Sequence, residues 1–437
     1  MSERAFAVLA TAIGILFLAI TPPLQVPDEW NHYVRAEAIG QGHLTPDMTW
    51  QGDCESFPIG IERFIRATYR TSGKFTLHEL RDAAAIPLDG GGKSTLCFSA
   101  WYTPVPYVPQ VIVVAASRAL QVRPFVTFYA GRIVNLGFVI LMIVASMRLA
   151  PGYRSVFAAV ALLPMAMYQL ASWSADAPTF AAAVLLTAVL LRAVHRTSSM
   201  TKGEVIAIAG LAMVVALCKP VYFLIALLVL AIPRRRFRSA GQRIAVIAAV
   251  VFAVALGVVT SSATAQRARY NARVGLPVDV REQARCVMAN PLRFAEVAID
   301  DLGANGTVYL EELVGRFGMN DVKLPMAMVW PELFVLVVAG LMSARPASVA
   351  QRLLTIMIAL STMAGVLLSQ YLLWSVICGH AIEGVQGRYF LPIVPLALAS
   401  FAVGPKVSDR VQSIAIVAVA VIANSVALIV LLQRYWL

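Results

Sequence analysis

Charge is the scarcest commodity in this sequence. Asp, Glu, Lys and Arg make up 14% of its 437 residues, against about 25% in soluble domains. Hydrophobic residues reach 59% and mean hydropathy is +0.74. That shortage excludes an ordinary soluble enzyme. Histidine and cysteine number only five each, and no Cys/His cluster has zinc-ligand spacing. No Gly-x-Ser-x-Gly elbow is present. DGGGKST at 89–95 superficially resembles a phosphate loop, but it lacks the G-x-x-x-x-G-K-[ST] spacing. Short internal repeats, low-complexity tracts and a separable soluble domain are missing too.

What the chain has instead is long apolar runs, which mark an all-α polytopic membrane protein. They fall near 5–22, 125–147, 155–171, 177–194, 204–218, 220–232, 244–262, 326–343, 353–376, 389–403 and 411–432, giving about eleven expected transmembrane helices. The first, AFAVLATAIGILFLAI, is long for a signal peptide and lacks a clear A-x-A site, so it reads as an uncleaved helix. With the N-terminus inside, the inner loops are MSER, MRLAPGYR, RAVHRTSSMTKGE, PRRRFRSAGQR, SARPASVAQR and PKVSDR. They carry fifteen Lys/Arg against Glu3, Glu204 and Asp409, which accounts for the whole net charge of +12. Such a bias is what the positive-inside rule demands; an excess that on a soluble chain would suggest nucleic acid here implies no nucleic-acid partner.

PVPYVPQVIVVAASRAL (104–120) carries three prolines, and counting it as a span would expose PRRRFRSAGQR outside. It is expected to be a re-entrant or juxtamembrane stretch of irregular backbone buried against protein. Residues 204–218 and 220–232 read as a hairpin with its tip outward. The outer face then holds two long loops, 23–124 and 263–325, and short turns at Ser174–Asp176, Lys219 and 377–388. All five cysteines reach that side, where disulfides are permitted. Cys54–Cys97 is the first expected pair and Cys286–Cys378 the second, with unpaired buried thiols the alternative.

Chemistry-bearing residues gather on the same face. In PPLQVPDEWNHYVRAEAIG, a helix would place Asp28, His32 and Arg35 in one row beside Glu29 and Tyr33; a carboxylate there suits general-base work. A solvated helix start opened by Pro27 is the plainer alternative. In YQLASWSADAPTF, Asp176 is either a helix cap or a second acid across a cavity. Lys219, in ALCKPVYF, either snorkels or anchors a phosphate, with Tyr222 as a nearby donor. GRFGMNDVKLP offers Arg316 and Asp321, with Gly315 and Gly318 allowing tight turns. EGVQGRYFLPIVP sets Gln386, Arg388 and Tyr389 at an interface where an arginine suits phosphate. Arg132, in YAGRIVNLG, is an intramembrane charge that needs either a ligand or a loop acid. Acids suit activation of an acceptor, and Lys and Arg suit an anionic leaving group.

PDEWNHYVRA, LLPMAMYQLASWSADA, GRFGMNDVKLP and VQGRYFLPIVP, in that order over most of the chain, resemble the bacterial domain-of-unknown-function family 2142. That family resembles the GT-C superfamily of integral-membrane glycosyltransferases, whose Lys-Gly-Pro turn CKPVY matches without the glycine. The resemblance implies a GT-C-like fold with juxtamembrane helices in the first outer loop. Residues 1–262 would form the catalytic module with outer loop 23–124; residues 263–437 would add outer loop 263–325 and the C-terminal helices. It implies a polyprenyl-phosphate sugar as donor, a glycan, lipid or protein acceptor, contact with membrane lipids, and a site on the outer side of the bacterial inner membrane. Asp28 would be the general base with Glu29 as its partner, and Lys219 and Arg388 would steady the departing phosphate, inverting the anomeric centre. His32, Arg132, Asp176, Tyr222, Arg316, Asp321, Gln386 and Tyr389 would line the substrates. No cofactor is required, although a divalent cation is compatible. The rival readings are a flippase for lipid-linked sugars, a polymerase or ligase using a lipid-diphosphate donor, and a sensor or scaffold.

Overall fold

The computed structural model describes residues 1–45, 48–49, 52–89, 91–98, 102–267, 279–344 and 348–437. Arg345 of the loop SARPASVAQR and Gly90 of DGGGKST lie outside the described residues. Each of the eleven apolar segments contains α- or 3-10 helix, though 155–171 and 389–403 are interrupted. Among the described residues six helices are long and apolar enough to cross a membrane, which agrees with an all-α membrane protein. They are α1 (Glu3–Ile20), α6 (Pro124–Leu149), α9 (Asp176–His195), α11 (Ala240–Arg267), α15 (Val349–Trp374) and α17 (Asp409–Tyr435). Between them run α2 (Glu29–Gly40), α3 (Ile59–Thr68), α4 (Leu77–Ala85), α5 (Val108–Ala119), α7 (Arg154–Ala161), α8 (Pro164–Leu170), α10 (Lys202–Cys218), α12 (Val280–Ala289), α13 (Pro291–Gly315), α14 (Met326–Leu341) and α16 (Val394–Ser400).

Sequence dictates these helices locally. Ser2 caps α1, its Oγ accepting from Ala5 N, with Glu3 in the first turn. Phe6, Ala10, Ile13, Gly14 and Phe17 form the buried stripe of α1. Val8, Ile15 and Leu16 face outward and are largely exposed, and apolar side chains are likewise exposed on α6, α11, α15 and α17. An apolar exterior of that extent suits lipid rather than water. The exception is α9. Of its apolar window, 83% is buried, because α6, α10 and the segment after Lys219 surround it.

The segment expected at 155–171 is broken. Pro164 holds Leu163 extended and starts α8 at its first position. The break frees the Leu162 carbonyl, and Asn424 of α17 donates to it at 2.9 Å. A second interruption follows α10, where Lys219 is extended (φ −153°, ψ 111°). Beyond it, Pro220–Ala231 winds as a twelve-residue 3-10 helix, about 24 Å long at 2.0 Å per residue. It packs on α10, α9 and α15.

Two features depart from the sequence reading. The stretch 104–120 is not irregular: after a 3-10 turn at Val105–Tyr107 it forms the regular helix α5, because its prolines fall at helix starts, where they are tolerated. It is also buried on only one face, through Pro109, Gln110, Val114 and Ser117. The first long loop, besides helices, contains an antiparallel sheet of β1 (Met48–Thr49), β2 (Gly52–Pro58) and β3 (Lys93–Phe98). Its register sets Cys54 opposite Cys97. A two-stranded hairpin, β4 (Arg316–Phe317) with β5 (Val322–Lys323), follows α13.

Loops sort onto two ends of the bundle. At one end Ala344 N donates to Gly152 O, Met200 N to Arg236 O and Val403 N to Leu341 O. Arg236, fully buried, donates there to Ala193 O, Ser198 O and Glu204. All of these belong to the arginine-rich loops except Leu341 and Val403, which lie just before two of them. At the other end Cys286 and Cys378 form a disulfide that joins α12 to the 375–386 loop, while Cys218 is a free buried thiol. One buried apolar cluster runs through the bundle from Phe6 to Tyr435.

Candidate functional site

At the disulfide end, four charged side chains from four distant segments meet where helices begin or break. Asp28 precedes α2 in the left-handed conformation (φ 63°, ψ 2°) and makes no cap hydrogen bond with its side chain. Asp is among the few residues that tolerate this region. Its carboxylate turns instead to Arg388, whose Nη2 donates to Oδ2 at 2.7 Å. Arg388 Nε lies 3.6 Å from Asp176 Oδ2, and Lys219 Nζ donates to Asp176 Oδ1 at 3.3 Å. Asp28, Arg388, Asp176 and Lys219 therefore form one chain of alternating charge. Arg388 is nearly buried at 3% side-chain exposure, whereas Asp28 is 51% exposed. The base candidate is the solvent-reachable end.

Aromatic rings enclose this chain. Lys219 Nζ sits 4.0 Å from the Tyr389 ring centroid and 5.7 Å from that of Tyr102, a cation–π arrangement. Tyr222 donates to the Tyr389 carbonyl at 2.7 Å and so pins the turn carrying Arg388. That turn, the 3-10 segment Gly387–Phe390, is also held by Glu312 of α13, which accepts from Gly387 N at 2.7 Å. A Cβ at position 387 would stand 2.0 Å from the Tyr309 carbonyl, so glycine alone fits. Burial raises the Glu312 carboxyl above its ordinary range.

The expected helical row does not include Asp28, which precedes α2 in the left-handed conformation, but His32 on α2 still lies within reach of the Asp28 and Asp176 charges. Its Nδ1 is 2.8 Å from Tyr107 Oη, and its ring packs against Tyr102 and Tyr107. Burial holds its pKa below the ordinary histidine value, Asp176 and Asp28 opposing that effect. Arg35 is not in the row; its guanidinium turns away to the His43 and Leu44 carbonyls.

Behind Arg388 lies a cavity of about 10 Å³. Asp176, Tyr222, Arg388 and Tyr389 reach it, and so does Gln169 of α8. The arrangement combines an exposed carboxylate, a second buried carboxylate, two fixed cations and several phenols. It can take a proton at one edge and hold an anion at the other.

Other expected site residues are elsewhere. Glu29 and Arg132 are both 0% exposed and satisfy each other. Arg132 donates to Glu29 at 2.8 and 2.7 Å and to the Thr21 and Pro22 carbonyls, while Glu29 also accepts from Trp173 N. Expected as the partner of Asp28, Glu29 instead clasps α6 to the end of α1, since its oxygens are spent on buried donors. Arg132 has its loop acid and is fully buried. Arg316 binds the Asn320 carbonyl and faces Glu312, and Asp321 pairs with Arg434 at 2.7 Å. These two fasten the β4–β5 hairpin rather than the charged chain. Gln386 lies one residue before Gly387 with a buried Oε1 that lacks a hydrogen-bond partner among the described residues. Among the described residues, no group of three His, Cys, Asp or Glu side chains is placed to hold a metal ion.

Sequence reasoning passed over Gln169, Tyr102, Tyr107 and Glu312. A polar amide inside an apolar run was the available signal for Gln169; the others depend on long-range packing. No curated protein and no solved structure matches the chain. Residues 12–397 match the family described as "Predicted membrane protein (DUF2142)", and the chain belongs to that family.

Proposed function

We propose that this protein is a GT-C-type integral-membrane glycosyltransferase that moves a sugar from a polyprenyl-phosphate donor to an acceptor hydroxyl in cell-envelope glycan or glycolipid assembly. In this reading it spans the inner membrane eleven times with the charged chain facing the periplasm. The clustering of the arginine-rich loops at the opposite end supports that orientation. The observation that carries the reading is the contiguous Asp28–Arg388–Asp176–Lys219 chain.

Asp28 takes the proton from the acceptor hydroxyl as its oxygen attacks the anomeric carbon. The bond from that carbon to the phosphate oxygen breaks, and the electron pair leaves with the lipid phosphate. Arg388 and Lys219, already oriented by Asp176, stabilise the charge that develops there. Attack opposite the leaving group inverts the anomeric centre. Glu29 and Arg132 hold the α2 start in place.

The test is a panel of radiolabelled polyprenyl-phosphate sugars offered to the purified protein with crude membrane acceptors. Label should pass to an acceptor in a time- and protein-dependent way. Movement of intact donor across sealed vesicles without transfer would replace the reading with a flippase, and reaction only with lipid-diphosphate glycans would replace it with a polymerase or ligase.

A further inference from the structure

The cavity behind Arg388 has a wall that the proposed chemistry leaves unused. Gln169, in the last turn of α8, is 3% exposed and reaches this cavity. Among the described residues neither its Oε1 nor its Nε2 has a hydrogen-bond partner. Its surroundings there are mixed: the apolar Ala166, Leu170, Phe180, Leu391 and Pro392 line the same space as the polar Asp176, Thr179, Tyr222 and Tyr389. A buried amide without partners is costly, and native proteins keep few of them. Across the cavity Arg388 is 5% exposed, and its Nε, 3.6 Å from Asp176 Oδ2, and its Nη1 also lack hydrogen-bond partners among the described residues. A neutral donor and a charged donor therefore share a space of about 10 Å³.

Size and polarity together restrict what fits. That volume admits about one oxygen-sized atom, not a sugar ring. The guanidinium favours an anionic oxygen, and the apolar side chains in the lining favour an amphiphile over a free sugar. We propose that Gln169 and Arg388 jointly bind one phosphoryl oxygen of a lipid phosphate, with Gln169 Nε2 donating to it. Gln169 is then a further ligand-binding residue of the site. The inference rests on the lipid-phosphate reading above but concerns binding, which is measured without turnover.

The full-length protein in nanodiscs is titrated with polyprenyl phosphate, dodecyl phosphate and inorganic phosphate, as wild type and as Gln169→Leu. Replacing an unpartnered buried amide by an apolar side chain of similar size should keep or raise the unfolding temperature. Polyprenyl phosphate should nevertheless bind about tenfold more weakly, the worth of one hydrogen bond to a charged acceptor. An equal loss with dodecyl phosphate locates the contact at the head group of a lipid phosphate. An equal loss with inorganic phosphate would overturn the lipid requirement, and unchanged affinity in a folded Gln169→Leu protein would overturn the inference. Should leucine disturb folding, the unbranched Gln169→Met provides the same comparison. Gln169-dependent binding without transfer from any donor would retain the subsite and remove glycosyl transfer. Transfer with an unchanged donor KM in Gln169→Leu would do the reverse.

Discussion

Arg388 Nη2 and Asp28 Oδ2 are 2.7 Å apart although 360 positions separate them in the chain. The pair makes the catalytic proposal physically contiguous: the second residue of the expected base motif is held by the residue expected to receive the leaving group. Because Asp28 is half exposed and Arg388 is not, the aspartate is the partner free to swing toward an acceptor.

Replacing Asp28 by Asn should therefore abolish transfer, with a fall of about 10²–10⁴, yet leave the unfolding temperature within a few degrees of wild type. Full activity in a folded Asp28→Asn protein would remove the base assignment. Single-turnover transfer beside a thermal melt on one preparation decides it.

Glu29 behaves oppositely. Removing one member of a fully buried, hydrogen-bonded ion pair costs about 3–5 kcal/mol, because the other charge is stranded. Arg132→Met and Glu29→Gln should each lower thermal stability sharply. The double variant should recover much of that loss, which a double-mutant cycle measures directly. A Glu29→Gln protein that melts normally but fails to transfer sugar would return Glu29 to the chemistry.

His32 supplies a pH signature. Burial lowers its folded-state pKa below the unfolded value of about 6.5, so the unfolded chain binds the extra proton first. Stability is then fully present above about pH 6.5 and declines as pH falls from there toward the lowered folded value. Thermal melts between pH 7.5 and 5.5 should show an acid-side loss that is smaller in His32→Asn. Identical slopes in the two proteins would exclude His32 as the source.

The Cys286–Cys378 bridge closes a loop of 92 residues. Cutting it in a Cys286→Ser/Cys378→Ser protein should cost about 2–5 kcal/mol, as for native disulfides generally. Donor affinity should weaken too, since the bridged loop leads to Gly387 and Arg388. Cys378 N also donates to Gln283, and Arg293 reaches His380 across the same junction, so affinity should be reduced rather than lost. Equal donor affinity with and without the bridge would confine its role to stability.

Much of this was legible because apolar length and loop charge are additive along a chain. The positions of α1, α6, α9, α11, α15 and α17 follow from runs that one can read residue by residue. Asp28, Asp176, Lys219 and Arg388 were legible as charges placed where apolar segments stop. Glu29 misled because its neighbour Asp28 has the same charge, and only the left-handed backbone at 28 sends the two carboxylates to different partners. The sheet of β1–β3 was missed since its pairing spans the intervening helices α3 and α4. Gln169 and Glu312 depend on which helix packs behind which turn, and no local pattern states that.

The depth of α9 sets the aim of Asp176. This residue opens a helix surrounded by other helices along most of its length, so the helix has little freedom to turn as a rotor. Slipping its register by one residue would swing the carboxylate about 100° around the axis and move it about 1.5 Å along it, away from both Lys219 and Arg388. A single-residue insertion just after Asp176 should thus misdirect the site even if every helix still assembles, which makes the most deeply buried of the long apolar helices the one that sets the bearing of the charges.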